Sequence, residues 1–407
     1  YLKTTDRLDI PRIDYTNGEP SILLESQRTN LVTYSEALTT YWTLQGVSLI
    51  ADNTAINPTG NTFANKLNSL ITGNFRSINR VETSAWDSKT FTMSCFAKKI
   101  TNDYIFFYNI GSVSGINGLW FNISNGSIGT NGAAWSNAKI QNYGNGWYRC
   151  SAKITFGTSD NYLYISNSDG DNITSSTVGS QTYIWGTQIE EGSYETSYIP
   201  TSGTAVTRSK ELFPNPLGAN GTPTGNKAVI YLEIASTITT PPLRLPQKNF
   251  IGFVNGTTNQ YGLYHWGGAD NNKFGFNTWN GDTYGIIGAD YLLNGEFNKI
   301  AGLFDFTDFT NNKLYINGKQ QNISQVRGTT LQRSASGLGI TAPQPNQTPV
   351  GKYKSVMMFD QELTDEELEK LTGYNNHELY MNYYNRLSYL GLVEEYNVES
   401  DINNYIL

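Results

Sequence analysis

Tyr183-Ile-Trp-Gly-Thr-Gln-Ile-Glu-Glu-Gly-Ser-Tyr-Glu-Thr-Ser-Tyr-Ile-Pro-Thr201, followed by Thr207-Arg208, is the stretch that organises the chain. It reads as a strand carrying Tyr183, Trp185 and Ile189, then a turn at Gly192, then an extended exit stopped by Pro200. Proline biases the residue before it away from helix, so Ile199 should be extended. Everything before this segment reads as one β-domain that it closes. Everything after Pro214 reads as a second.

The composition supports sheets. Of 407 residues, 38% are hydrophobic and only 15% charged, and 39 Gly supply turn chemistry together with abundant Asn, Thr and Ser. The 27 Tyr, 18 Phe and 8 Trp bring aromatic residues to 13%, which suits pleated sheets better than helices. A chain of this length exceeds one ordinary domain, so two domains are expected. The net charge is −7 and no Lys/Arg block occurs, so neither nucleic acid nor an anionic membrane surface is indicated as a partner. No apolar run approaches the roughly 20 residues of a membrane span. The first residue is Tyr1 rather than Met, which reads as a fragment or a processed product.

There are two cysteines. Alternation places Cys95 with Phe91, Met93 and Ala97, and Cys150 with Tyr148, Ala152, Ile154 and Phe156. Both thiols should therefore point into one core. They are expected as buried free cysteines or as a disulfide between facing strands; a metal pair is strongly disfavoured by the lack of nearby His.

Working outward, residues 1–30 form an extended lead-in, with Glu25 and Arg28 as candidates for an ion pair tying it to the body of the first domain. From Tyr41-Trp42 to Thr207, short strands alternate with turn clusters such as Asn57-Pro-Thr-Gly60, Asn125-Gly126, Asn131-Gly132 and Asn145-Gly146. That spacing suits a sandwich or jelly roll over 31–208. The closing stretch resembles the closing motif of β-sandwich domains in bacteriophage tail-fibre, head-fibre and receptor-binding proteins. Arg12-Ile-Asp-Tyr and Ile22-Leu-Leu-Glu-Ser-Gln-Arg-Thr-Asn-Leu31 resemble the opening half of the same pattern. Asn145-Gly-Trp-Tyr-Arg149 is similar to a strand start of carbohydrate-binding jelly rolls. The resemblance implies a virion protein at the particle surface, a host-surface polysaccharide and other virion proteins as partners, and a homotrimer.

Residues 209–226, with three prolines and three glycines, read as a linker. The second domain, 227–373, opens with the apolar strand Ala228-Val-Ile-Tyr-Leu-Glu-Ile-Ala235. Lys313-Leu-Tyr-Ile-Asn-Gly-Lys-Gln320 carries an Asn317-Gly318 hairpin signal. Val356-Met-Met-Phe-Asp360 follows, then a short helix with Thr364 as N-cap, Glu367 completing a capping box and Leu363 and Leu368 as a hydrophobic staple. Asp365 and Glu366 suit the positive helix start, and Gly373 is expected as a left-handed stop. This order resembles the laminin-G or concanavalin A-like sandwich. The tail, 374–407, is expected to be helical and Tyr-rich, with Leu379, Tyr383, Leu387 and Leu390 on one face, docking on its own sandwich or on sister chains. The fold class is thus all-β: two tandem β-sandwiches with a short C-terminal helical tail.

Catalytic signals are weak. His265 and His377 lie in different segments, which disfavours a triad or a multi-His metal site. No Gly-x-Ser-x-Gly, phosphate-cradling loop or Cys/His cluster occurs. Glycosidases need two carboxylates flanking the scissile bond, and the most comparable strand offers only Glu233. Non-catalytic glycan binding is the better reading; a depolymerase or a binding module of a secreted bacterial enzyme is the alternative. Sugars need an aromatic plate for the C–H face and amides or carboxylates for hydroxyls. Tyr264, Trp266, Asp270, Asn272, Trp279, Asn280 and Asp282 supply both, and core packing is the bland alternative for each Trp. Trp120 and Trp135 are weaker candidates on the same logic. No cofactor is expected, apart from a Ca²⁺ candidate at Asp169 and Asp171, whose Asp-Gly-Asp-Asn run is also an ordinary turn.

Overall fold

The computed structural model describes residues 12–14, 20–40, 42–71, 77–82, 86–110, 117–158, 161–209, 225–235, 248–255, 259–266, 273–278, 284–287, 295–327, 338–339, 351–373 and 393–397. They divide into two compact units, one of residues 27–209 and the other of residues 2–26 together with 210–407. The architecture is antiparallel β throughout, with one α-helix among the described residues.

The first unit is a sandwich of two six-stranded sheets. One runs, in spatial order, Trp135–Asn142, Trp147–Thr155, Thr90–Lys99, Gln181–Glu191, Thr62–Ser69 and Val47–Ile56. The other runs Ser127–Asn131, Gly118–Asn122, Tyr104–Ile110, Asn161–Ser168, Ser77–Glu82 and Thr43–Gln45. Between them lies a core in which Met93, Ala97, Ile184 and Ile189 of the first sheet meet Phe107, Leu119 and Ile165 of the second. Cys95 and Cys150 sit in this core directly opposite one another in register, both free and buried. Burial pushes both thiols well above their usual range.

The organising strand departs from simple alternation. Strict period two would put Tyr183, Trp185 and Ile189 on one face, yet Ile189 joins Ile184 in the inner core while Trp185 belongs to a separate outer cluster with Phe96, Trp147 and Ala64. A β-bulge between Trp185 and Gln188 causes this. Gly186 adopts φ +59, an extra residue is absorbed, and Gln188 and Glu190 are turned onto the outer face.

That shift lets the exit segment fasten itself. The buried Glu190 carboxylate accepts from Thr196 N at 2.5 Å and from Thr196 Oγ1 at 2.7 Å. Gln188 Oε1 accepts from Ile199 N at 2.7 Å. Arg149 Nη2 donates to Thr196 O at 2.7 Å and to Ser94 Oγ at 3.1 Å. Asn30 Nδ2 donates to Thr187 O and Ile199 O, tying the incoming chain to the same place. Val206–Arg208 pairs with Arg28–Asn30, so the two ends of the unit are zipped together. Arg28 lies within this unit, its guanidinium 4.8 Å above the Tyr194 ring.

The second unit contains an eight-stranded sheet whose main order is Arg12–Asp14, Ser21–Leu24, Gly351–Phe359, Lys227–Ala235, Asn298–Asp305, Lys313–Ile316 and Lys319–Gln320; Val393–Asn397 also pairs Gly351–Phe359. The other sheet runs Ile323–Arg327, Tyr284–Ile287, Lys273–Thr278, Asn259–Trp266, Lys248–Asn255 and Leu338–Gly339. The lead-in therefore enters the second unit's sheet, where Ile22 stands opposite Tyr353 and both Ile22 and Leu24 are buried. The first unit is inserted between Leu24 and Lys227 of that sheet.

The helix Asp365–Thr372 carries the capping box of Thr364 and Glu367, and Leu363, Leu368 and Leu371 pack on Val229, Tyr231, Leu303 and Met357. Gly373 is not left-handed: its φ is −68 and ψ 151. A Cβ on Gly373 would lie 3.3 Å from Glu369 O and 3.6 Å from Lys370 O, and one on Gly318 of the Asn317-Gly318 hairpin would lie 3.3 Å from Gly373 Cα. Residues 210–224 of the expected linker and 374–392 of the expected helical tail lie outside the described residues, and Val393–Asn397 of that tail is a strand.

Gly186→Ala should destabilise the first unit by about 2 kcal/mol in denaturant unfolding, because alanine is strained at that φ and its Cβ would come 3.0 Å from Phe96 Cδ2. Starting the chain at Gln27 removes Ile22 and Leu24, each worth about 2 kcal/mol when buried. Calorimetry should then show the second unit melting about 10 °C lower, with the first unit's transition unmoved.

Candidate functional site

The structure brings a binding constellation together on the outer face of the first unit's closing sheet, beside the organising strand. Four residues stand opposite one another in register across it: Trp147, Lys98, Tyr183 and Lys66. An aromatic ring thus alternates with a cation from strand to strand. Beside this row is an open groove of about 500 Å³ lined by Thr54, Ala55, Ile56, Lys98, Asn145 and Tyr183.

Each wall has a local cause. Asn145 and Gly146 both take positive φ, +51 and +78, in the tight turn between Trp135–Asn142 and Trp147–Thr155. The turn lies along the lysine stem; a Cβ on Gly146 would lie 3.5 Å from Lys98 Cε. Trp147 is buried and donates from Nε1 to Ile56 O at 2.8 Å, anchoring the opposite rim. Its ring centroid is 6.3 Å from that of Tyr183. The outward side chain of Ile56 stays 55% exposed, leaving an apolar lip.

The polar chemistry divides into spent and unspent groups. Asp52 accepts from Tyr183 Oη at 2.7 Å and from the backbone and hydroxyl of Thr54 at 3.0 and 2.7 Å. Those bonds, Thr54's hydroxyl foremost, hold its carboxyl well below the usual range. Lys66 sits 3.5 Å from the same carboxylate and 5.7 Å from the Tyr183 ring centre. The Asp52 hydrogen bond in turn pushes the Tyr183 phenol upward. Lys98 and Asn145 have no such partner among the described residues, so an ammonium and an amide are left to a ligand. A half-buried ring flanked by free polar groups is what a sugar ring requires.

None of the site residues expected from the sequence is among those that line this groove. Tyr264 and Trp266 are strand residues, not loop residues, standing opposite Gly275 and Lys273. Asp270, Asn272, Trp279, Asn280 and Asp282 lie outside the described residues, as does His377. Trp120 and Trp135 are core residues at 1% and 4% exposure. Asp169 and Asp171 act as loop staples with different partners. Asp169 accepts from Asn102, Thr177 and Ser180, and Asp171 accepts from Thr130 N at 2.7 Å and Thr130 Oγ1 at 3.0 Å. A cation there would have to displace those donors, and no group of three or more His, Cys, Asp or Glu side chains suited to a metal occurs among the described residues. Glu233 lies 3.8 Å from Lys354 Nζ. Tyr183 was visible as a strand aromatic, but its pairing with Lys98 and Lys66 is set by strands distant in sequence.

These features define, in class, an all-β protein with an aromatic-and-polar groove on a sheet face and a lectin-type sandwich after it. Residues 242–369 match the family model described as the concanavalin A-like lectin/glucanases superfamily. No curated protein sequence matches the chain. Among solved structures, the chain is similar to a protein of Bacteroides ovatus named as a candidate carbohydrate-binding protein, with 11% identity over 71% of this chain and 82% of that one. The TM-score is 0.25.

Because the hydrogen bond to Asp52 is what chiefly raises the Tyr183 phenol, Asp52→Asn should move its titration down toward the ordinary value near 10. NMR of ring-labelled tyrosine with Tyr183 assigned would read the change, and an unmoved titration would refute the Asp52–Tyr183 contact.

Proposed function

We propose that the chain is a non-catalytic glycan-binding protein of a bacteriophage particle, displayed as part of a tail fibre, head fibre or spike. The observation that carries the binding reading is the groove in which Tyr183 stands beside the unengaged Lys98 and Asn145. The concanavalin A-like match over 242–369 supports it, because that superfamily's description includes lectins. The same description includes glucanases, which keeps a glycan as ligand under either activity. The particle location rests on the resemblance of the 183–208 and 12–31 stretches to phage fibre domains. Host-surface polysaccharide and other virion proteins are the partners that this implies. A homotrimer is the assembly proposed with it, through the Tyr-rich strip of 378–390. No metal or cofactor is proposed for the binding.

The test is retention of the whole chain on an array of bacterial surface polysaccharides. Tyr183→Ala should weaken binding to the retained polysaccharide at least about tenfold, the loss typical of a central aromatic contact. A parallel Trp266→Ala variant reports on the second unit. Binding that is absent, or unchanged in both variants, would sink the reading; sugar release from a bound polysaccharide would replace it with a depolymerase.

A further inference from the structure

We infer that the groove beside Tyr183 selects an acidic sugar, with the anionic substituent at Lys98 Nζ and the sugar's C–H face on the Tyr183 ring; this rests on the glycan-binding reading above. Of the five other lysines of this unit, four are neutralised by protein carboxylates; among the described residues Lys153, outside the groove lining, is not. Lys66 lies 3.5 Å from Asp52, Lys139 3.1 Å from Glu195, Lys89 3.7 Å from Glu191, and Lys99 pairs with Asp103. Lys98 is half-buried in the groove wall with no carboxylate of the described residues beside it. Trp147 and Tyr183 flank it in register on either side.

The remaining local charges point the same way. Asp52 is the acid next to Tyr183, and it is committed to Tyr183 Oη, to Thr54 and to Lys66. Asp52 and Lys66 cancel, so Lys98 leaves the groove with one net positive charge in a chain whose overall charge is −7. A neutral sugar would use the Tyr183 plate and the Asn145 amide but leave the ammonium without a counter-charge. A carboxylate or sulfate on the ring would complete it with a charge-assisted hydrogen bond, roughly twice the strength of a neutral one. Tyr183 packs against a sugar irrespective of charge, so the plate supplies affinity and Lys98 supplies the choice between acidic and neutral rings.

Titration calorimetry of the whole chain against oligogalacturonate, its methyl ester, sulfated galactan oligomers and neutral galactan oligomers tests this. The acidic oligomers should bind, and methyl esterification should weaken binding at least about tenfold. Lys98→Met should cause the same loss for acidic oligomers and none for neutral ones, while Lys98→Arg should stay within about threefold of the native chain. Raising NaCl from 50 to 500 mM should weaken the native chain's acidic binding only. Preference for the uronate or for the sulfated oligomer identifies which anion is used, and either supports the inference. Neutral oligomers that bind as tightly as acidic ones, unaffected by Lys98→Met, would overturn the acidic assignment and leave glycan binding standing. Failure of every oligomer to bind would overturn both. An unchanged melting temperature for Lys98→Met separates loss of binding from loss of fold.

Discussion

A carboxylate with almost no access to water holds the first unit closed. Glu190 is taken out of solvent, and burial pushes its carboxyl upward against the pull of the two Thr196 donors and of the Arg149 and Arg28 charges. An uncompensated carboxylate there would be costly, so the hydrogen bonds from Thr196 are obligatory rather than decorative. Their consequence is geometric. Because Thr196 must reach back to Glu190, the chain folds across the outer face of its own sheet. Tyr198 lands 4.7 Å from the Trp185 ring and its hydroxyl reaches Ser35 Oγ at 2.6 Å. Glutamine and threonine side chains finish the backbone hydrogen bonds that a strand would otherwise make with a neighbour. From Gly186 onward, the stretch that stands out most in the sequence is, in the fold, a fastener.

The same face shows why a fastener and a site can coexist. The bulge at Gly186 divides the organising strand into two halves with opposite duties. Beyond the bulge, Gln188 and Glu190 face a covering segment; before it, Tyr183 faces an open groove. Buried ring contacts among Phe96, Trp147, Trp185 and Tyr198 form a floor that links the halves. A ring in the groove is thereby held by packing underneath and by Asp52 at its hydroxyl, which limits the orientations it can take before a ligand arrives.

What the sequence disclosed follows from how local each signal is. The capping box of Thr364 and Glu367 involves residues three apart, and it forms as read. Asn317 and Gly318 both adopt positive φ, +51 and +77, because the two-residue turn demands it. Alternation around Cys95 and Cys150 put both in one core, and they face each other there. Signals that depended on distant partners misled. Gly373 matches a left-handed stop by its position alone, but its backbone is extended, with φ −68 and ψ 151. Trp120 and Trp135 lie among turn residues in sequence, yet Trp120 stacks at 5.3 Å on Phe106 and Trp135 donates to Asn117 O. One inserted residue at Gly186 defeated period-two reading of the strand that mattered most. Nothing local marks Lys98 as opposite Tyr183; that juxtaposition exists only once three strands are in register.

The insertion of the first unit between Leu24 and Lys227 has a mechanical meaning. Ser21–Leu24 is bonded directly to Gly351–Tyr353, and Gly351–Phe359 to Lys227–Ala235. Tension applied to the two ends of the chain is therefore carried across these neighbouring strands of one sheet. It bypasses residues 27–209 altogether, whose own ends are zipped by Arg28–Asn30 and Val206–Arg208. The groove beside Tyr183 is a side branch of the load path.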